Sequence, residues 1–392
     1  MYYIVILKTL ASLDDLLPLF FELKKIGKLS KVLFIARNRQ LFEYIEKNKV
    51  LYDGIDSING RLEHFSNHKN KIVRVLLNTY LLKDLLFNKI ICFETYYYRL
   101  AGIISNFNCK VWGGKKIKCL ILSLPYRYAI NAVKFLKANT KQDKRNIIIK
   151  DYDSILLCQS KEQYEEVYNV NLVTNCRITQ LGYIRGLREW GKYLERNIDR
   201  YLDKEIKGPF IFFPLGFIHR DHKHHVKGSD STSICELLKE CLLVLREFND
   251  DIITVFKPHP KTDVDTVQEI LNSIGFNNYV FSYVHPLMLI KKAKFMLTIT
   301  SSTILIQAYV ESCMTVEYAH YYSKFFELNK GQSRYLDAVD YFIHRDKVKL
   351  RQVLKKVIYN NIGIQRSSKV LKTDFPILSS KEIERKFKWL EV

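Results

Sequence analysis

Tyr3-Ile4-Val5-Ile6-Leu7 is an unbroken apolar run, residues 13–25 carry helical spacing, and Lys31-Val32-Leu33-Phe34-Ile35-Ala36 is a second apolar run. A short run without polar alternation is the pattern of a strand buried on both faces. Two such runs bracketing a helix form a βαβ unit, whose strands must be parallel. Working outward, the same signature recurs at residues 90–93, 110–112, 154–158 and 178–181 as predicted strands, with helical patterns at 40–48 and 97–106. Strand and helix in alternation predict a parallel sheet covered on both faces.

The pattern then restarts. Residues 188–207 are dense in Arg, Glu, Asp and Lys and close on Gly208-Pro209, which reads as a domain boundary. Beyond it, residues 210–215, 252–256, 279–283, 295–299 and 314–317 read as strands, and 233–248, 264–274, 287–293 and 304–311 as helices. The expected organisation is an α/β domain over residues 1–190, a second over 208–345, and amphipathic helices within 346–392 that pack back on the first. Two such sheets bind ligands at the carboxyl ends of their strands, so function is sought in the loops that follow strands.

Composition limits the alternatives. A chain of 392 residues with 47% hydrophobic content has room for two or three cores. The uncharged stretch 295–310 is too short to span a bilayer and contains Ser301, Ser302, Thr303 and Gln307. The amino terminus shows no basic segment followed by a cleavage site, so a cytoplasmic protein is expected. The eight cysteines form no Cys-x-x-Cys pair and sit in apolar strings, as buried free thiols do. A net charge of +21 attracts polyanions such as anionic lipid, acidic glycan or nucleic acid. No nucleic-acid-binding module pattern accompanies it, and no nucleic-acid partner is expected.

Several motifs fall away on context. His219-Arg220-Asp221 and His344-Arg345-Asp346 resemble a kinase catalytic loop, without the glycine-rich loop or the Asp-Phe-Gly. Gly113-Gly114-Lys115 lacks the upstream glycine of a phosphate-binding loop, and no Gly-x-Gly-x-x-Gly follows the first strand. His219, His222, His224 and His225 crowd around Asp221, but Arg220, Lys223 and Lys227 repel a divalent cation, so a solvated loop is preferred and no metal is expected.

Two loops carry the chemistry. Val255-Phe256-Lys257-Pro258-His259-Pro260-Lys261 is a buried strand ending in a loop whose prolines fix the backbone on both sides of one imidazole, with a lysine on each flank. Two readings stand: a rigidly presented histidine for an anionic ligand, or prolines that simply end the strand. Thr300-Ser301-Ser302-Thr303 follows the strand at 295–299 and precedes a helix, where free N–H groups and hydroxyls bind phosphate. Ordinary capping needs only one of those four residues.

With these motifs in order, the chain resembles the GT-B glycosyltransferases that use CMP-activated ulosonic acids, including bacterial sialyl- and polysialyltransferases and capsule Kdo transferases. The resemblance rests on His259-Pro260 and Ser301-Ser302 and covers roughly residues 209–319. It implies two Rossmann-like domains facing each other across a cleft, the first binding the acceptor and the second the nucleotide sugar. It implies that His259 assists departure of CMP and that Lys257, Pro260, Ser301, Ser302 and Thr303 bind the donor. The expected reaction is inverting transfer of Kdo, sialic acid or a related nonulosonate to a bacterial surface-glycan or lipid-linked acceptor, with no cofactor.

The family also needs a carboxylate base for the acceptor hydroxyl. The loop after the first strand of the second domain offers Asp221 and Asp230, each with a bland alternative as a solvated charge or a helix cap. In the first domain Glu94, Arg99 and Asp53 are acceptor-binding candidates by position alone. The Lys257-Pro258-His259-Pro260 string also resembles CDP-glycerol and CDP-ribitol transferases, for which a second histidine, His219 or His285, is expected. A non-catalytic basic glycan- or nucleic-acid-binding protein is the third reading. Capsule and lipopolysaccharide acceptors imply a peripheral site on the inner face of the inner membrane, and residues 69–74 and 115–118 with Trp112, Tyr126 and Tyr128 form the expected interfacial patch.

Overall fold

A computed structural model of the chain describes residues 2–7, 9–65, 90–94, 118–121, 154–158, 177–218, 234–260, 262–299, 302–321, 326–327, 330–333, 335, 338–360 and 376–388. The chain divides into two compact units, the first made of Met1–Pro125, Lys137–Arg196 and Val370–Val392, the second of Tyr126–Leu136 and Asn197–Lys369.

In the first unit β1 (Tyr2–Leu7), β2 (Lys31–Ala36), β3 (Gly60–His64), β4 (Ile90–Glu94), β5 (Lys118–Ile121), β6 (Ser154–Cys158) and β7 (Arg177–Gln180) form one sheet in the order β3-β2-β1-β4-β5-β6-β7. Every pairing is parallel. All six residues of β1 are buried, as a central strand with both faces covered requires. Helix α1 (Leu10–Lys25) starts at Thr9, whose hydroxyl accepts the Ser12 N–H while Ser12 Oγ accepts the Thr9 N–H. That reciprocal cap fixes where β1 ends and the helix begins. Phe20 of α1 then meets Tyr3, Phe34 and Phe93 edge to face, with ring centroids 5.3 to 5.6 Å away. Four interlocking rings at that spacing make the centre of this core.

The sequence reading differs from this unit in several places. Residues 49–57 form α3 (Lys49–Ser57), following α2 (Arg39–Lys47), so Asp53 sits mid-helix and not in a loop after a strand. A Cβ on its neighbour Gly54 would lie 3.0 Å from Leu17 and 3.3 Å from Trp190, so that helix face is packed. The strand beside β4 is Lys118–Ile121; the expected strand at 110–112 lies outside the described residues. Lys118, expected in a surface patch, pairs in register with both Cys92 and Ser154 inside the sheet.

Within the boundary segment, residues 188–201 are α4 (Arg188–Tyr201). Its charges hide a stripe, Trp190, Leu194 and Ile198, at four-residue spacing and all buried. The two units divide at Arg196 and Asn197, inside that helix and inside the segment 188–207.

In the second unit β8 (Phe210–Pro214), β9 (Ile253–Lys257), β10 (Tyr279–Phe281), β11 (Phe295–Thr298), β12 (Thr315–Ala319) and β13 (Tyr341–His344) form a parallel sheet in the order β10-β9-β8-β11-β12-β13. Helices α5 (Ile234–Leu245), α6 (Val264–Ser273), α7 (Pro286–Lys292) and α8 (Ile304–Val310) separate the strands, and α9 (Lys347–Tyr359) follows β13. The tail expectation needs correction: α9 packs on α5 in the second unit through Leu350, Val353 and Leu354. Among the described residues of the tail, α10 (Ser380–Phe387) is the helix that belongs to the first unit, where it packs on α1. Its approach is fixed by Gly182, at φ +70, whose missing side chain leaves room for the Pro376 carbonyl, which in turn accepts the Tyr183 N–H at 2.9 Å. Buried Glu22 accepts from the Glu189 N–H and the Ser380 hydroxyl, both at 2.8 Å, joining α1, α4 and α10.

Candidate functional site

The second sheet runs outward from β8 to β9 and β10, then returns to β11 on the other side of β8. Loops leaving β8 and β11 therefore diverge, which opens a crevice at the carboxyl ends of the strands. The two loops singled out in the sequence flank this reversal: residues 258–262 follow β9, and 299–303 follow β11.

The first of these loops is clamped. Pro258 is buried while His259 and Pro260 are exposed. The Thr262 N–H donates to the His259 carbonyl at 2.8 Å, closing a turn with Pro260 at its second position, where a fixed φ is favourable. The Thr262 hydroxyl accepts the His259 N–H at 2.9 Å and donates to the Gly216 carbonyl at 2.7 Å, in the loop after β8. The next residue, Asp263, donates its N–H to the Ile218 carbonyl at 2.8 Å and caps α6 by accepting the Thr266 N–H. Lys257, half-buried, ends β9, and its carbonyl accepts the Leu215 N–H at 2.9 Å. Rigid backbone and an exposed imidazole thus coincide at His259.

After β11 the hydroxyls are divided. Ser302 Oγ accepts the Ile304 N–H at 3.4 Å, a long bond, while Thr303 makes no side-chain cap to α8. Of the run of four, Thr300 and Ser301 lie outside the described residues, as do Asp221, Asp230, Arg99, His219 and the rest of the histidine-rich loop. The structure therefore brings Lys257, His259 and Pro260 onto one loop, with Ser302 and Thr303 on the loop after β11. Glu94 ends β4 in the other unit.

Of the two candidates for the second histidine expected of a polyol-phosphate transferase, His219 lies outside the described residues and His285 is corrected here. His285 is 1% exposed, and its Nδ1 accepts the Leu287 N–H at 3.3 Å as the cap of α7. A buried capping imidazole cannot meet substrate. His344-Arg345-Asp346 is likewise structural. His344 ends β13, Arg345 pairs with Glu240 through 2.6 and 3.1 Å contacts, and Asp346 caps α9. Those contacts hold the Glu240 carboxyl below the usual carboxylate range, through its hydrogen bonds from Arg345 first.

Two features were not anticipated. Tyr283, in the loop after β10, is 64% exposed although its neighbours Ser282 and Val284 are buried. The loop is anchored by the Ser282 N–H, which donates to the Phe256 carbonyl of β9 at 2.8 Å. Because Phe281 pairs with Phe256, this ring leaves the sheet on the loop next to that of His259. Glu317, on β12, is fully buried and accepts from the Tyr321 hydroxyl at 2.7 Å and from Ser333. A lone glutamate inside the apolar run of β12 was its only sequence signal.

Cys235, Cys241 and Cys313 are in no disulfide, and burial pushes the Cys241 thiol well above the ordinary thiol range. Among the described residues no helix is long and apolar enough to cross a membrane. Among the same residues no group of three or more His, Cys, Asp or Glu could hold a metal ion.

No protein-family model and no curated protein matches the sequence. Solved structures resemble it in shape. A protein assigned as a UDP-N-acetylglucosamine 2-epimerase from Listeria monocytogenes aligns at a TM-score of 0.57 and 10% identity, covering 100% of this chain and 97% of that one. The UDP-N-acetylglucosamine 2-epimerase from Rickettsia bellii aligns at 0.54 and 15% identity, covering 100% and 95%. The calicheamicin glycosyltransferase CalG4 aligns at 0.50 and 8% identity, covering 100% and 99%. The chain has the GT-B fold.

Proposed function

We propose that the protein is an inverting glycosyltransferase that moves a ulosonic acid, such as Kdo or sialic acid, from its CMP donor to a surface-glycan acceptor. The observation that carries this reading is the Lys257-Pro258-His259-Pro260 loop, rigid in backbone, exposed at the imidazole, and set at the carboxyl edge beside the strand-order reversal. In the reaction the acceptor oxygen forms a bond to C2 of the sugar as the bond from C2 to the CMP phosphate oxygen breaks. The acceptor proton goes to a carboxylate, Asp221 or Asp230, and the departing phosphate keeps the electron pair. Charge on that phosphate is met by His259 and Lys257, with Ser301, Ser302 and Thr303 donating hydrogen bonds, so the step needs no metal. Exposed Tyr283 offers a flat face for the cytosine. Glu94 and Arg99 are kept as acceptor contacts; Asp53, mid-helix, is the weakest of the three. The basic surface suits a peripheral position on the inner face of a membrane carrying a lipid-linked acceptor.

Purified full-length protein given CMP-Kdo, CMP-N-acetylneuraminic acid, CDP-glycerol and UDP-N-acetylglucosamine tests the proposal by the nucleotide released. CMP from a CMP-ulosonic acid, faster with acceptor, is the expected result. Inertness towards both CMP donors with release of CMP from CDP-glycerol overturns it in favour of polyol-phosphate transfer. The epimerases of like fold supply another contrary outcome, which is conversion of UDP-N-acetylglucosamine to its C2 epimer without net nucleotide release.

A further inference from the structure

We propose that Thr262 is the positioning residue of the candidate site, holding His259 in its working orientation by tying the loop after β9 to the loop after β8. The inference rests on the reading of His259 as the group that meets the nucleotide phosphate.

Three hydrogen bonds converge on this one residue. Its hydroxyl accepts the His259 N–H at 2.9 Å, its own N–H donates to the His259 carbonyl at 2.8 Å, and its hydroxyl proton goes to the Gly216 carbonyl at 2.7 Å. Both backbone polar groups of His259 therefore end on Thr262. The hydroxyl works in a fixed sense, accepting from its own loop and giving its one proton to the other. A turn could be closed by the N–H bond alone, and Pro260 already biases the backbone towards it. The added hydroxyl bonds do something the turn does not require: they reference the imidazole-bearing residue to β8, the strand at which the sheet order reverses. The adjoining bond from the Asp263 N–H to the Ile218 carbonyl extends the same seam by one residue. Buried Pro258 and the Leu215 bond to Lys257 anchor the upstream side. Both main-chain polar groups of His259 are thus fixed, which is a condition for presenting one imidazole to a reacting phosphate within an ångström.

Thr262→Val keeps the branched shape and removes only the hydroxyl; Thr262→Ser keeps the hydroxyl and removes only the methyl. With the CMP donor, Thr262→Val is expected to lose about tenfold or more in kcat with KM changed little, because misplacement by a fraction of an ångström is felt in the transition state. Thr262→Ser is expected to stay within about threefold of the parent. In a His259→Ala background the valine substitution should add less than about twofold, since the two residues act through one group. Equal losses in both backgrounds, or a serine variant as poor as the valine variant, would overturn the proposal. A second readout does not depend on turnover: the NMR resonances of the His259 ring, recorded with and without CMP. In the parent, CMP should shift a single set of ring resonances; in Thr262→Val the set should broaden or split and the shift should shrink. Identical ring spectra in parent and valine variant would overturn the positioning role. A parent that releases no CMP from any donor yet shows the valine-specific change in the ring spectrum refutes the donor assignment and supports the positioning.

Discussion

The sequence contains two His-Pro pairs at the carboxyl ends of adjacent strands, His259-Pro260 after β9 and His285-Pro286 after β10, and the structure puts them to opposite uses. At the first pair the backbone is held by Thr262 and the imidazole is exposed. At the second the imidazole itself is the structural element: it is buried, accepts the Leu287 N–H, and lets Pro286 occupy the first turn of α7, where a missing N–H costs nothing. A dipeptide therefore does not mark a site. What separates the two is the ring, exposed in one and buried as a helix cap in the other.

Removing each ring is the strongest test of that contrast. His259→Ala should lower turnover by at least about a hundredfold, the usual scale for a positioned acid or electrostatic group, with its melting temperature unchanged because the ring is exposed. His285→Ala should do the reverse. Loss of a cap and of a buried ring is expected to cost about 1–3 kcal/mol of stability by denaturant unfolding, while turnover per folded molecule stays within a few-fold. Near-normal CMP release from folded His259→Ala, or a catalytic loss at His285 without a stability loss, would reverse the assignments.

How far these uses were legible beforehand depends on the physical signal involved. Buried parallel strands announce themselves by apolar runs, so β1, β2, β6 and β9 stand within a residue or so of their expected places. Strand β13 was missed because three of its four residues are only half-buried and it lies at the sheet edge, where the run is weak. Helix α4 is hidden in the charged boundary segment because Arg188, Glu189, Lys192, Glu195 and Arg196 outnumber the Trp190-Leu194-Ile198 stripe that defines it. In the site, proline punctuation exposed His259, whereas the bonds through Thr262 and the burial of His285 are tertiary facts with no local pattern. Tyr283 carried no signal either, since one tyrosine among 25 looks alike whether its ring is in the core or in solvent.

Tyr283 gives the next sharpening of the comparison, because it stands in the same loop as the structural histidine. If the loop after β10 were wholly structural, replacing an exposed side chain there would change nothing measurable. Tyr283→Ala is instead expected to weaken CMP binding by about 1–3 kcal/mol, roughly 5- to 150-fold, the range for an aromatic platform under a base, with stability within about 0.5 kcal/mol. Calorimetric titration with CMP checks it, and ribose 5-phosphate, lacking the base, should bind parent and variant alike. Unchanged CMP affinity would return the whole loop to a structural role.

The smallest effect is expected after β11, where one hydroxyl is asked to serve both uses at once. Ser302 Oγ reaches the Ile304 N–H at 3.4 Å, too long for a strong cap, and Thr303 makes none. An N-cap serine in full use is worth about 1 kcal/mol, so Ser302→Ala should cost clearly less than that in stability. If the hydroxyl also donates to the donor phosphate, the same substitution should weaken CMP by a few-fold, near 1 kcal/mol for one neutral hydrogen bond, while leaving cytidine affinity unchanged because cytidine has no phosphate. Pairing it with Ser301→Ala should deepen the CMP loss and still spare cytidine. A stability loss near 1 kcal/mol with CMP affinity intact would make Ser302 a cap like His285, and would leave His259 and Lys257 to meet the phosphate without help from the loop after β11.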